Sequence, residues 1–205
     1  GSMVSSTLKK LAINSIDTLF YHSYNDFIGS PNTLRELVLE VEKGRVKKIG
    51  VSVYTNQEIE RLLDVKEVKV IQAPFNLLDN ELQRADVFNR AKEIGKEIHT
   101  RSVFLQGLYF KSPNSITGHL TPLREQVQRI NTIADSAGVS MECLALNYAL
   151  SKPYIDRVLI GVDNVEQLQA NLKAIQTGLP QEVANEIDQI MVEDIRLLNP
   201  STWKA

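Results

Sequence analysis

The sequence lacks most of the features that mark specialised protein classes. Its single cysteine, Cys143, excludes an internal disulfide, and a reducing, cytoplasmic setting is expected. No stretch approaches the roughly 18 consecutive apolar residues that a membrane helix needs, and the start of the chain has no signal-peptide apolar core. Positive charge is not in excess: 23 Lys and Arg are interspersed with 25 Asp and Glu, which argues against nucleic acid or an anionic membrane surface as a partner. There is no G-x-G-x-x-G turn and no G-x-S-x-G elbow, so neither a dinucleotide-binding open sheet nor an α/β-hydrolase is indicated. The histidines, His22, His99 and His119, share no ligand spacing with one another or with Cys143, and no metal is expected.

The 205 residues are 43% hydrophobic, enough to bury a real core. Residues 1–3 read as a cloning scar and start, and residues 4–205 as a single partial domain. Short β-branched runs alternate with amphipathic stretches. The predicted strands are DTLFYH (17–22), VKKIGVS (46–52), KVIQAPF (69–75), KEIHTRSV (96–103) and RVLIGV (157–162). Between them PNTLRELVLEVEKG is closed by Gly44, TNQEIERLLD opens on a Thr55/Glu58 capping box, and NELQRADVFNRAKEIG is closed by Gly95. A helix pair, TPLREQVQRINTIADSAG and SMECLALNYALSK, precedes the last strand, and DNVEQLQANLKAIQTG and PQEVANEIDQIMVED follow it. Nearly continuous apolar strands spaced by helices predict parallel βαβ units covered on both faces.

Such units form either a doubly wound sheet or a (β/α)8 barrel. In a barrel the chemistry gathers at the C-terminal ends of the strands. Here His22 ends the first predicted strand, Ser52 the second, Gln72 and Asn76 the third, and Arg101 and Ser102 the fourth, while Gly161, Asp163 and Asn164 follow the fifth. Five strand ends carrying polar groups favour the barrel. With five strands rather than eight, the expected fold class is α/β, an incomplete (β/α) barrel of about five parallel strands alternating with helices.

IGVSVYTNQEIERLL, VIQAPFNLLD, IHTRSVFLQGLYF and RVLIGVDNVEQLQANL resemble, in order and spacing, the second half of an aldo-keto reductase. That family's (β/α)8 barrel moves hydride between NAD(P)H and a carbonyl. The resemblance implies that His22 is the catalytic histidine that hydrogen-bonds the substrate carbonyl, where a donor stabilises negative charge developing on oxygen. It implies that Ser52 and Gln72 hold the nicotinamide carboxamide, which needs both a donor and an acceptor. Val53 stands where the family often has asparagine. Arg101 stands where many members stack a tyrosine on the nicotinamide, and a guanidinium plane also stacks. Ser102, Leu105 and Gln106 fall on the loop that covers the pyrophosphate. Gly161, Asp163, Asn164 and Gln167 fall at the helix N-terminus that receives the adenosine end, with Asn171 near the adenine. NADP-preferring members usually supply a cation there. Asp163 would repel the 2′-phosphate, so NADH is favoured over NADPH, although Asp163 and Asn164 also suit plain helix capping.

The family's Asp, Tyr and Lys precede the matched segments, so the 205-residue chain is expected to have little or no reductase activity alone. Three explanations stay open: a fragment of a longer reductase, a shortened chain completed in a homodimer through open barrel edges, or a diverged non-catalytic module that binds a nucleotide or a protein. The irregular stretch YFKSPNSITGHLTP would line the substrate pocket. Similarity of VSVYT, QAPFNLLD and RSVFLQGL to a branch associated with polysaccharide and sugar-nucleotide genes suggests a small, sugar-derived carbonyl substrate.

Overall fold

The computed structural model describes residues 2–203; position 1 of the expected scar and the last two positions of the expected domain lie outside the described residues. The elements follow one another as α1 (Ser2–Leu11), β1 (Ile16–Tyr21), α2 (Tyr24–Gly29), α3 (Pro31–Glu42), β2 (Val46–Ser52), α4 (Asn56–Leu63), β3 (Val68–Pro74), α5 (Glu81–Glu93), β4 (Glu97–Arg101), α6 (Arg124–Ala137), α7 (Met141–Leu150), β5 (Arg157–Val158), α8 (Val165–Ala174) and α9 (Gln181–Asp188). The five parallel strands take the sheet order β1-β2-β3-β4-β5, as consecutive βαβ units require. The chain divides into two compact units, one running to Ala73 with Asn89–His99 added, the other Pro74–Phe88 with the segment from Thr100 onward.

In the first unit the ladder is parallel and in register: Phe20 pairs with Gly50 and Tyr21 with Val51, then Gly50 with Val70, Val51 with Ile71, and Ser52 with Gln72. The irregularity between Ile49 and Gly50 leaves Lys69 as an extra residue of β3, which sets the register beyond it. Val46, Ile49, Val51, Ile59, Leu62, Val68, Val70 and Ile71 are all buried to within 1% and form the core between strands and helices. Gly44 stops α3 in the left-handed conformation (φ 69°). The Gly44 N–H donates to Val41 O and the Arg45 N–H to Glu40 O, a Schellman closure that turns the chain into β2. Gly95 repeats the device ahead of β4, with Gly95 N–H to Lys92 O and Lys96 N–H to Ala91 O. The Thr55/Glu58 capping box opens α4 as predicted.

In the second unit Phe75 stacks on Tyr148 at 5.5 Å and meets Tyr154 edge-on at 6.1 Å, around an α7 buried over most of its length. Lys152 joins Glu81 (3.0 Å) to Asp188 (2.8 Å). The Tyr148 hydroxyl donates to Asp188 at 2.5 Å and accepts from the Glu81 N–H at 3.1 Å, and the Tyr154 hydroxyl donates to Glu81. Burial, then these carboxylate partners, hold both phenols well above their ordinary pKa. Asn80 donates through Nδ2 to Ile187 O and Ile190 O, fastening the end of α9. Cys143 is buried at 4% exposure, as its apolar helical setting predicts.

Two sequence expectations change. The fifth strand, expected over 157–162, is a ladder only at Arg157–Val158; it lies at the end of the sheet order, and Leu159, Ile160 and Val162 are 37–40% exposed. A short helix, α2, occupies the turn after β1; the Ser23 hydroxyl caps it by accepting from the Asp26 N–H, and Phe27 meets Tyr21 edge-on at 5.3 Å.

Candidate active site

The site-bearing residues of the first unit sit at the C-terminal ends of β1, β2 and β3. β1 ends at Tyr21, one residue short of the expected limit, so His22 follows the strand rather than ending it; within β2 and β3, where side chains alternate between faces, Gly50 and Ser52 share a face, as do Val70 and Gln72. The register makes Ser52 and Gln72 direct partners, and His22 lies one residue beyond the Tyr21–Val51 pair. His22 is exposed, while Ser52 and Gln72 are half-buried. The structure therefore sets Ser52 beside Gln72 on one face, with His22 next after the end of the neighbouring strand. Tyr21 points the other way, its hydroxyl shut off from water and its pKa raised by that burial, so it is no proton donor for this face.

One layer deeper, the Phe20 ring lies over Gly50: a Cβ at position 50 would come within 2.4 Å of the ring. Phe20 also meets the buried His99 ring at 5.8 Å. His99 lies 3.5 Å from Glu97, whose other oxygen takes Lys48 at 2.6 Å. Phe20, Gly50 and His99 thus pack together one layer below the strand ends. Sequence reading passed over Phe20 and Gly50, although Gly50 precedes Ser52 by two, the spacing that puts strand residues on one face. Val53 is 1% exposed; its side chain joins the core, and its N–H donates to Gln72 O at 2.8 Å.

The second unit carries the remaining candidates in two places. Arg101 ends β4, half-buried, and donates to the Ser102 hydroxyl at 3.3 Å. The loop beyond is left-handed at Ser102 (φ 62°), Leu105 (φ 44°), Gln106 (φ 54°) and Gly107 (φ 75°). Non-glycine residues pay for such angles, and runs of them cluster at binding loops. Leu105 is fully buried and anchors the turn, whereas Gln106 is exposed. Below this loop the Tyr109 hydroxyl donates to Asn76 Oδ1 at 2.6 Å, and that oxygen also accepts from the N–H groups of Leu78 and Asp79. Asn76, a strand-end polar residue by sequence, is thus fully buried and holds the loop in place.

The other place is the start of α8. The Gln167 N–H donates to Asn164 Oδ1 and the Asp163 N–H to Gln167 Oε1, both at 2.8 Å. Gly161, Asp163, Asn164 and Gln167 are exposed, whereas Asn171 is 5% exposed, inside the packing of α8. His119 is exposed in the turn at 118–123.

Polar groups thus stand at the ends of consecutive βα units, and comparison with known proteins identifies the family. The aldo/keto reductase family model matches residues 3–192, and the chain belongs to that family. It is similar to L-glyceraldehyde 3-phosphate reductase of Escherichia coli K12, 24% identical, with 91% of this chain and 61% of that protein covered. It is also similar to a putative voltage-gated potassium channel subunit beta of Schizosaccharomyces pombe, 23% identical, covering 92% and 62%. Among solved structures, the holo form of aldo-keto reductase AKR11C1 from Bacillus halodurans superposes with a TM-score of 0.76 at 20% identity, over 95% of this chain and 66% of that one. The chain thus spans about three fifths of the length of the curated relatives it matches.

Among the described residues no helix is long and apolar enough to cross a membrane.

Proposed function

We propose that residues 4–205 form one partial barrel domain of an NAD(P)H-dependent carbonyl reductase, with His22 as the donor to the substrate oxygen. The observation that carries this reading is the pairing of Ser52 with Gln72 at the ends of β2 and β3, with His22 next after the Tyr21–Val51 pair. The donor set fits the cofactor: a half-buried hydroxyl and a half-buried primary amide in register offer the donor and acceptor that a carboxamide requires. When bound, the dinucleotide supplies the hydride. His22 holds the carbonyl oxygen and stabilises the charge that develops on it, while Ser52 and Gln72 fix the orientation of the nicotinamide. Arg101, through its guanidinium plane, and Ser102, Leu105 and Gln106, through the left-handed turn, offer groups for the ring and the pyrophosphate.

Gly161, Asp163, Asn164, Gln167 and Asn171 take the adenosine end in this reading. NADH is preferred to NADPH, because Asp163 brings a negative charge and the Asn164 and Gln167 side chains already take the N–H of Gln167 in the first turn of α8 and that of Asp163 just before the helix. The substrate is a small carbonyl compound, sugar-derived, in the cytoplasm. Taken alone, the 205-residue chain has little or no turnover, and a homodimer covers its open barrel edges.

The test is NADH binding by fluorescence, followed by NADH oxidation with an aldehyde panel, for the wild type and His22→Ala. Binding of NADH with little turnover supports the proposal. Turnover well above His22→Ala would overturn the predicted inactivity, and absence of dinucleotide binding would favour the non-catalytic module.

A further inference from the structure

The turn after β4 holds three non-glycine residues, Ser102, Leu105 and Gln106, at positive φ (62°, 44° and 54°). Backbone of this kind persists only where its surroundings hold it. Within the turn the Leu105 N–H donates to Ser102 O and the Gly107 N–H to Phe104 O, both at 2.9 Å, and Val103, Leu105 and Leu108 are buried. Tyr109 then fastens the turn from below: its side chain is 2% exposed, and its hydroxyl donates to Asn76 Oδ1 at 2.6 Å.

Asn76 is itself a fixed acceptor. Its Oδ1 takes the N–H groups of Leu78 (3.0 Å) and Asp79 (2.9 Å), and its own N–H donates to Asp79 O at 3.0 Å, which closes the turn 76–79 just past β3. Arg84 of α5 grips the Asp79 carboxylate with two bonds, at 2.6 and 2.7 Å, and both residues are buried. A line of contacts therefore runs from α5 through Asp79 and Asn76 to Tyr109 and the left-handed turn. The Asn76 amide nitrogen, by contrast, is buried with no hydrogen-bond partner among the described residues, so the side chain serves through its oxygen. Burial raises the Tyr109 phenol well above its ordinary pKa, which keeps it a donor.

We propose that Asn76 and Tyr109 are positioning residues for the dinucleotide: they hold the 102–107 turn in its left-handed form beforehand, so that binding does not have to order it. The inference rests on the reading above, in which Ser102, Leu105 and Gln106 offer groups for the pyrophosphate, and adds two buried residues that act through that turn. It also ranks the substitutions at position 76. Aspartate keeps the acceptor and loses only the unpartnered nitrogen, and three donors suit a carboxylate, whereas leucine removes the acceptor.

The experiment joins hydrogen–deuterium exchange of the turn to NADH titration by fluorescence, on the full chain. In the wild type without NADH, the Leu105 and Gly107 amides are expected to be protected, and NADH to add little further protection. Tyr109→Phe and Asn76→Leu should each speed exchange at 102–107 and weaken NADH binding roughly tenfold. Asn76→Asp should stay close to the wild type in both, a rescue that a purely packing role would not give. Circular dichroism identifies a variant that fails to fold, and exchange in the wild type, which needs no substitution, then carries the test. A wild-type turn that exchanges freely until NADH is added, a Tyr109→Phe chain that binds NADH like the wild type, or an Asn76→Asp chain as weak as Asn76→Leu would overturn the proposal. A wild type with a protected turn that binds no NADH would instead remove the cofactor reading, and the role in binding with it.

Discussion

Ser52 and Gln72 face one another across the β2–β3 ladder, one residue past the fully buried Val51–Ile71 pair. Both are carried on strands whose positions are fixed by that core, so their backbones are in place when a ligand arrives. Replacing Gln72 by Leu, or Ser52 by Ala, is expected to weaken NADH binding by about 1–2 kcal/mol each, roughly five- to thirtyfold, with little change in melting temperature. Fluorescence titration beside thermal denaturation checks it; unaltered affinity in both variants would remove these residues from the site.

Gly50→Ala is expected to destabilise the chain by about 1–3 kcal/mol, because the new methyl enters the Phe20 ring and that ring is backed by His99. Adding Phe20→Leu should recover part of the loss, a coupling that a double-mutant cycle in urea measures. Strictly additive losses would show that the ring does not resist the methyl.

Much of this architecture is legible in the residues themselves. Gly44 and Gly95 announce helix ends because a left-handed closure suits glycine best, and Thr55 with Glu58 announces a helix start; all three signals are local chemistry. β2 matches its predicted limits for the same reason, since its apolar run is bounded by charge on one side and a cap on the other. The end of β5 was not legible: RVLIGV is as apolar as a central strand, and only its terminal place in the sheet order, a property of the whole chain, leaves 159–162 outside the ladder. At the site, His22, Ser52 and Gln72 could be read from strand ends, but the pairing of Ser52 with Gln72 depends on the extra residue at Lys69, which no local pattern reveals. The Lys152 cluster escaped for a related reason, because its members are far apart in sequence.

The Arg45–Glu40 pair, 2.5 Å apart, supports the α3–β2 turn. The hydrogen bond from Arg45 holds the Glu40 carboxyl below its ordinary value of 4.5. A carboxyl lowered in this way contributes stability that is present above the ordinary value and is lost as pH falls through the lowered one. Arg45→Met is therefore expected to be less stable than wild type at neutral pH, with the gap narrowing below pH 4.5. Urea midpoints across that range test it, and a gap independent of pH would mean that the arginine acts only through packing.

Lys152→Met should cost roughly 2–3 kcal/mol, because it leaves Glu81 and Asp188 without the cation between them. Neutralising the carboxylates in the same background, by Glu81→Gln with Asp188→Asn, should reduce that loss. Chemical denaturation of the single and combined variants decides it: a combined variant no more stable than Lys152→Met would show that charge is not what the lysine supplies.

The Phe20 ring over Gly50 has one more consequence. The ring fills the place that a side chain at position 50 would take, so position 50 stays glycine for as long as residue 20 is aromatic.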